Sequence, residues 1–123
     1  MQTLKKNGCK ASREDRSVSV SADRSGNRKN APALLLVPLP SNYNDWLVCM
    51  MSSRTQQAIS GIDELISVND DDFGKSGLKS DTVIRLTRIA VVSDTILTGT
   101  IGEISSERLS RLKKSLARWI EEN

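Results

Sequence analysis

Apolar residues in this chain gather in short runs broken by polar turns, and the spacing inside each run selects an element. Ala33-Leu34-Leu35-Leu36-Val37 lies between Pro32 and Pro38. That fits a buried strand, because proline is tolerated at strand ends but removes a ladder donor inside. Trp46-Leu47-Val48-Cys49-Met50-Met51 follows the turn-forming Ser41-Asn42-Tyr43-Asn44-Asp45, so the two runs predict an antiparallel hairpin. Residues 62–66 are a shorter strand candidate. Along residues 82–89, Val83, Arg85 and Thr87 fall on one side while Ile84 and Leu86 share the other with Arg88 following them, which is a strand with one polar face. Residues 97–104 predict one more strand, with Gly99 and Gly102 marking a bulge or sharp bend.

Periodicity then changes from two to between three and four. Leu109, Leu112, Leu116, Trp119 and Ile120 form one apolar stripe facing the body of the protein, and Arg111, Lys113, Lys114 and Arg118 stay in water. Ser105 is placed as the N-cap, and Glu107 complements the positive end of the helix dipole. Residues 69–79, with Asp70-Asp71-Asp72, Gly74 and Gly77, read as an exposed loop. The three acids lack the alternating ligands and terminal bidentate Glu of a helix-loop-helix calcium site, so the reading is a solvated turn. Several short strands followed by one helix predict a mainly β fold with a C-terminal helix, as a small antiparallel barrel or strongly bent sheet.

The N-terminal residues look different. Residues 1–30 are rich in Ser, Lys, Arg, Asn and Gly, with Ser17-Val18-Ser19-Val20-Ser21 as the one alternating patch, at best a weak edge strand. With so little to bury, most of this segment is expected to be disordered. It also carries the basic balance: eight Lys/Arg stand against three Asp/Glu, leaving ten against twelve in the rest of a chain whose net charge is +3. Such a segment is either a solvated tail or a contact for a polyanion such as RNA, where each neutralised phosphate releases a counterion. The expected division is therefore residues 1–30, basic and polar, and residues 31–123, the barrel with its helix.

At 123 residues the chain has room for one domain. The hydrophobic share of 37% and only four aromatics, Tyr43, Trp46, Phe73 and Trp119, make the expected core aliphatic. No apolar run approaches the roughly 20 residues of a membrane span, and residues 1–16 lack a signal-peptide core, so the expected location is the cytoplasm. Cys9 and Cys49 sit in unlike contexts and are read as isolated thiols, with neither a disulfide nor a metal site. Histidine is absent, which removes imidazole bases, Ser-His-Asp and Cys-His arrangements and the commonest metal ligand. Neither a phosphate-binding glycine loop nor a nucleophile elbow is present. What remains is Ser52-Ser53-Arg54 at the end of the second apolar run, two hydroxyls and a guanidinium that either orient a phosphoryl group or merely finish a strand.

Four stretches in order carry a resemblance. They are Ala31-Pro32-Ala33-Leu34-Leu35-Leu36; Trp46-Leu47-Val48-Cys49-Met50-Met51-Ser52-Ser53; Gly77-Leu78-Lys79-Ser80-Asp81-Thr82-Val83-Ile84-Arg85; and the Gly-rich strand, Ile-Ser link and Leu-rich helix of residues 97–116. Together they make residues 31–120 resemble the MazF/PemK family of toxin endoribonucleases. The resemblance implies an SH3-like barrel, a homodimer, cleavage of single-stranded RNA by attack of the ribose 2′-hydroxyl with no cofactor or metal, and a cognate antitoxin protein as inhibitor.

Carried over residue by residue, the family's catalytic hydroxyl maps to Ser52, with Ser53 beside it, and its catalytic arginine maps to Ala31. A methyl group donates no hydrogen bond and stabilises no negative charge. The chain as written is therefore expected to be inactive or strongly attenuated, or else a non-catalytic RNA- or antitoxin-binding relative. The family's apolar first strand is also replaced by the polar Ser17–Ser21, although Ser25-Gly26-Asn27-Arg28-Lys29 keeps the small, basic character of the family's RNA-side loop. Arg24, Arg28, Lys29, Arg54, Lys75 and Lys79 are the expected RNA-binding residues.

Overall fold

The computed structural model describes residues 17–21, 31–40 and 42–123. The strands are β1 (Ser17–Ser21), β2 (Ala31–Pro38), β3 (Asp45–Ser52), β4 (Glu64–Ile66), β5 (Thr82–Ser93) and β6 (Leu97–Glu103), with a 3-10 turn at Thr55–Gln57. Two helices complete the fold, the short α1 (Phe73–Ser76) and the long α2 (Ser106–Glu122). The strands form one curled antiparallel sheet in the order β4-β5-β3-β2-β1-β6, a half-barrel with a C-terminal helix. The expected hairpin is β2 with β3, registered from Ala33 opposite Met50 to Pro38 opposite Trp46.

β1 is not the edge strand expected of so polar a patch. It lies between β2 and β6, pairing Ser21 with Ala31 and Ser17 with Glu103. Backbone ladders ask nothing of side-chain polarity, so a serine-rich segment fills an inner position when both neighbours offer free edges. The glycine signal in β6 holds: the register along β1 slips between Gly102 and Thr100 and again between Gly99 and Leu97. These bulges bend the strand.

The open side between β4 and β6 is approached by α1. A Cβ at Gly102 would overlap the backbone of Lys75 and Ser76, and one at Gly77 would overlap the Ile101 carbonyl. Gly77 also caps α1 with φ of 78°, a left-handed conformation that glycine takes without strain. Backbone thus meets backbone at this seam.

One face of the sheet carries the main core, in which Leu34, Leu36, Cys49, Met51, Ile84 and Leu86 pack with Leu109, Leu112 and Leu116 of α2. On the other face Ala33, Leu35, Trp46, Val48 and Leu97 form a second cluster. The cores are mostly aliphatic, as composition implied, with Trp46 in the second cluster and Phe73 packed against the first. The helix stripe is shorter than expected, because Trp119 and Ile120 are 50% and 58% exposed. The core under α2 stops at Leu116, so the last turn overhangs it.

Cys49 is fully buried, and burial, followed by the nearby Asp63 charge, pushes its thiol up to about 12. Since the thiolate is the reactive form, Cys49 is expected to resist iodoacetamide at pH 8 in the folded chain and to alkylate readily in guanidinium. Peptide mass mapping separates it from Cys9. Labelling of the Cys49 peptide at equal rates in both conditions would contradict this packing.

Candidate RNA-handling site

Alternation along β3 sends Trp46, Val48, Met50 and Ser52 to one face. Across β3, Met50 is registered with Arg85 of β5 and Ser52 with Val83. Directly opposed residues share a face, so Arg85 stands diagonally from Ser52, a neighbour at about 7–8 Å on ordinary sheet geometry. On the other flank Ala33 opposes Met50. That pair ends the β2–β3 ladder, two residues short of Ala31 and Ser52. One end of the sheet therefore brings Ser52 and Arg85 together from two adjacent strands.

The chain leaves β3 through a tight turn. The Arg54 backbone N–H donates to Ser52 Oγ at 3.0 Å, an ST-turn that fixes the hydroxyl oxygen as an acceptor. Ser52 is half-buried, while Ser53 and Arg54 are exposed. Arg85 is half-buried, and its Nη1 donates to Gln57 Oε1 at 3.2 Å. Its Nε is buried without a hydrogen-bond partner, which is uncommon for so strong a donor. Among the described residues, this end brings the Ser52 hydroxyl and the Arg85 guanidinium together, with Ser53 and Arg54 exposed where the chain leaves β3.

The family model that describes PemK-like, MazF-like toxins of type II toxin-antitoxin systems matches residues 17–120. The chain belongs to this family. No curated protein matches the chain. Membership makes the chain the toxin of a two-component system whose other component is an antitoxin. The matched span takes in β1, so the polar first strand counts as part of the toxin domain. Among the described residues no helix is long and apolar enough to cross a membrane.

The six basic positions expected to meet RNA do not all converge. Arg24, Arg28 and Lys29 lie outside the described residues. Arg54 adjoins Ser52 and Ser53. Lys75 is exposed on α1 against β6, which is separated from β3 by β2 and β1. Lys79 is exposed in the link between α1 and β5.

Two features escaped the sequence reading. Arg85 was visible only as the last letter of a matching stretch and as part of a polar strand face, and the register with Met50 is what aligns it with Ser52. The second is Arg108, which corrects the solvated reading of the acidic loop. It is buried at 7% exposure, and its Nε and Nη2 grip Asp72 at 2.8 and 3.0 Å. Nη2 also reaches Asp70 at 2.9 Å, and Nη1 reaches Glu64 at 2.7 Å and the Leu65 carbonyl at 3.2 Å. Arg111 meets Glu64 as well, at 2.6 Å. The Arg108 bonds join partners 36 to 44 residues apart, a pairing no local motif displays. They also account for two of the three adjacent acids without a metal: among the described residues no group of three or more His, Cys, Asp or Glu is arranged to hold one.

Proposed function

We propose that this toxin acts on single-stranded RNA as a metal-independent endoribonuclease of the mRNA-interferase type, attenuated or inactive as written because Ala31 stands at the arginine position. The observation that supports the reading is the β3–β5 register, which sets Arg85 opposite Met50 and so diagonal to Ser52. In a family-type reaction the ribose 2′-hydroxyl attacks the adjacent phosphorus as its proton passes to solvent. A P–O bond forms as the bond to the 5′-oxygen breaks, and that oxygen leaves protonated by water. Negative charge gathers on the phosphorane oxygens of the 2′,3′-cyclising phosphate. In this reading the guanidinium groups at 54 and 85 donate hydrogen bonds to that charge. Ser52, with its proton free to donate, orients a phosphate oxygen; an unperturbed hydroxyl is too weak a base to start the reaction. The missing arginine at 31 is what keeps a second reading open, a non-catalytic RNA- or antitoxin-binding relative. RNA and antitoxin are both met in the cytoplasm, where this reading puts the chain.

RNA binding is the first test. Affinity for a polyanion is spread over many phosphates, so it should survive alanine at position 31 and fall steeply with salt. Fluorescence anisotropy with a labelled single-stranded RNA should show at least about a tenfold loss between 50 and 200 mM salt, the behaviour of a protein holding several phosphates. Affinity that is flat across that range, or undetectable at both ends, would count against an RNA groove.

The reading also makes the toxin a homodimer. Val37, Leu47 and Val91 fall in one row across β2, β3 and β5, followed by Ile89, and Ile89 and Val91 are 43% and 56% exposed. Two exposed apolar side chains beside Val37 and Leu47, which the main core partly covers, favour a second copy. Sedimentation should give twice the 13.5 kDa chain mass, and a single-chain mass at micromolar concentration would remove the proposal.

A further inference from the structure

The turn after β3 makes a contact that the cleavage reading leaves unused. Thr55–Gln57 begins one residue beyond Ser52, Ser53 and Arg54, and from it Gln57 reaches 28 residues along the chain to accept from Arg85 Nη1 at 3.2 Å. A guanidinium is planar, with its donors fixed relative to one another. Holding one nitrogen therefore sets the direction of the others. The same turn that positions the serines also aims the arginine.

We infer that Gln57 is a positioning residue for Arg85, turning the guanidinium so that its remaining donors face the Ser52 row and an RNA phosphate oxygen. The inference rests on the RNA reading of that end of the sheet and names a residue that the reading does not use. Two observations support it. Arg85 Nε is buried and unpartnered, so among the described residues the hydrogen bond that fixes the guanidinium is the one to Gln57, and ligand contact falls to the outer nitrogens. The acceptor at 57 is an uncharged carboxamide, which orients the cation without cancelling its charge. A glutamate there would hold Arg85 more tightly and repel the phosphate.

The experiment uses the full chain as it stands, labelled with nitrogen-15, and a short mixed-sequence single-stranded RNA as probe. Arg85→Lys identifies the Arg85 Nε–H resonance by its disappearance. In the parent chain that resonance should shift as RNA is added. In Gln57→Ala it should move towards the free-arginine position and lose its response to RNA, while core amide signals stay in place and RNA affinity falls about three- to tenfold, the span one net hydrogen bond supports. Gln57→Glu should keep the resonance ordered yet also bind RNA more weakly, a split that a purely structural role would not produce. Gln57→Met, of similar length but without the oxygen, repeats the test should the truncation disturb the turn. An Arg85 resonance that responds to RNA equally in the parent and in Gln57→Ala and Gln57→Met overturns the inference alone. An Arg85 resonance that ignores RNA in the parent overturns the RNA reading of this site, and the inference with it.

Discussion

Ala31→Arg is expected to raise the single-turnover rate of RNA cleavage by about a hundredfold or more while changing RNA affinity by only a few fold. The asymmetry comes from when the guanidinium acts. Ground-state binding is shared among many cations, whereas a donor aimed at the phosphorane is strongest as charge develops, and removing one such donor typically costs about 2.7 to 4 kcal/mol of barrier. Position 31 opens β2, two residues before the Ala33–Met50 pair that ends its ladder with β3. Adding Ser52→Ala to the arginine variant should lower the rate more than the affinity, because a hydroxyl that orients phosphate does most for the reacting geometry. The measurement is cleavage of a labelled RNA with enzyme in excess and EDTA present, comparing the chain as written, Ala31→Arg and the double variant. Vigorous cleavage by the unmodified chain would mean that position 31 is not the decisive one, with Arg54 and Arg85 the next to replace. An arginine variant as inert as its parent would favour the non-catalytic relative.

The strands and the long helix were legible because each announces itself locally. Pro32 and Pro38 bracket β2, the apolar run 46–51 lies within β3, and Ser105 caps α2 by accepting from the Arg108 backbone N–H at 3.1 Å. Bulges in β6 were legible from two glycines. What could not be read is everything that depends on register or on distant partners. Arg85 meets the Ser52 end only because β5 slips against β3, the pair after Cys49 and Ile89 being Met50 and Arg85. Asp70-Asp71-Asp72 looks like a solvated turn to any local rule, and only the arrival of Arg108 from α2 makes Asp72 a buried group. The overhang of Trp119 and Ile120 has the same origin, since periodicity gives a face but not the point at which the core beneath it ends. Ser17–Ser21 shows the converse, a segment with almost no apolar signal held in the sheet by strands on both sides.

Arg108→Ala is expected to cost about 3 to 5 kcal/mol of folding stability, as much as emptying a core position. The pair is nearly dry on the arginine side, at 8% side-chain exposure, with Asp72 at 10% and Glu64 at 20%. Removing one partner of a buried ion pair leaves the other charges uncompensated, which is where the large penalty arises. Asp72 would be left with only the Ser105 backbone N–H at 3.0 Å, and Glu64 with Arg111. Three elements meet at this one guanidinium, since Glu64 and Leu65 lie on β4, Asp70 and Asp72 lead into α1, and Arg108 belongs to the first turn of α2. Thermal melting should fall by about 10 to 25 °C on the scaling for a domain near this size. Arg108→Lys should recover part of that, since an ammonium restores charge but cannot grip Asp72 with two parallel donors.

The same contacts set the acid response. Hydrogen bonding from Arg108, aided by the Ser105 N–H, holds the Asp72 carboxyl at about 2, below its ordinary 3.8. A carboxyl depressed on folding adds stability above its unfolded value and loses it as pH falls through its folded value, so this contribution of about 2 kcal/mol should vanish between about pH 4 and pH 2. Asp70 shifts in the same direction, chiefly through the Ser67 backbone N–H and then Arg108. Asp72→Asn should flatten that part of the acid denaturation curve, whereas in Arg108→Ala the curve should be flatter and lie lower at every pH. A loss under about 1 kcal/mol for Arg108→Ala at neutral pH would show that the cluster is solvated after all, as the sequence had led one to expect, and that α2 is held by its leucines alone.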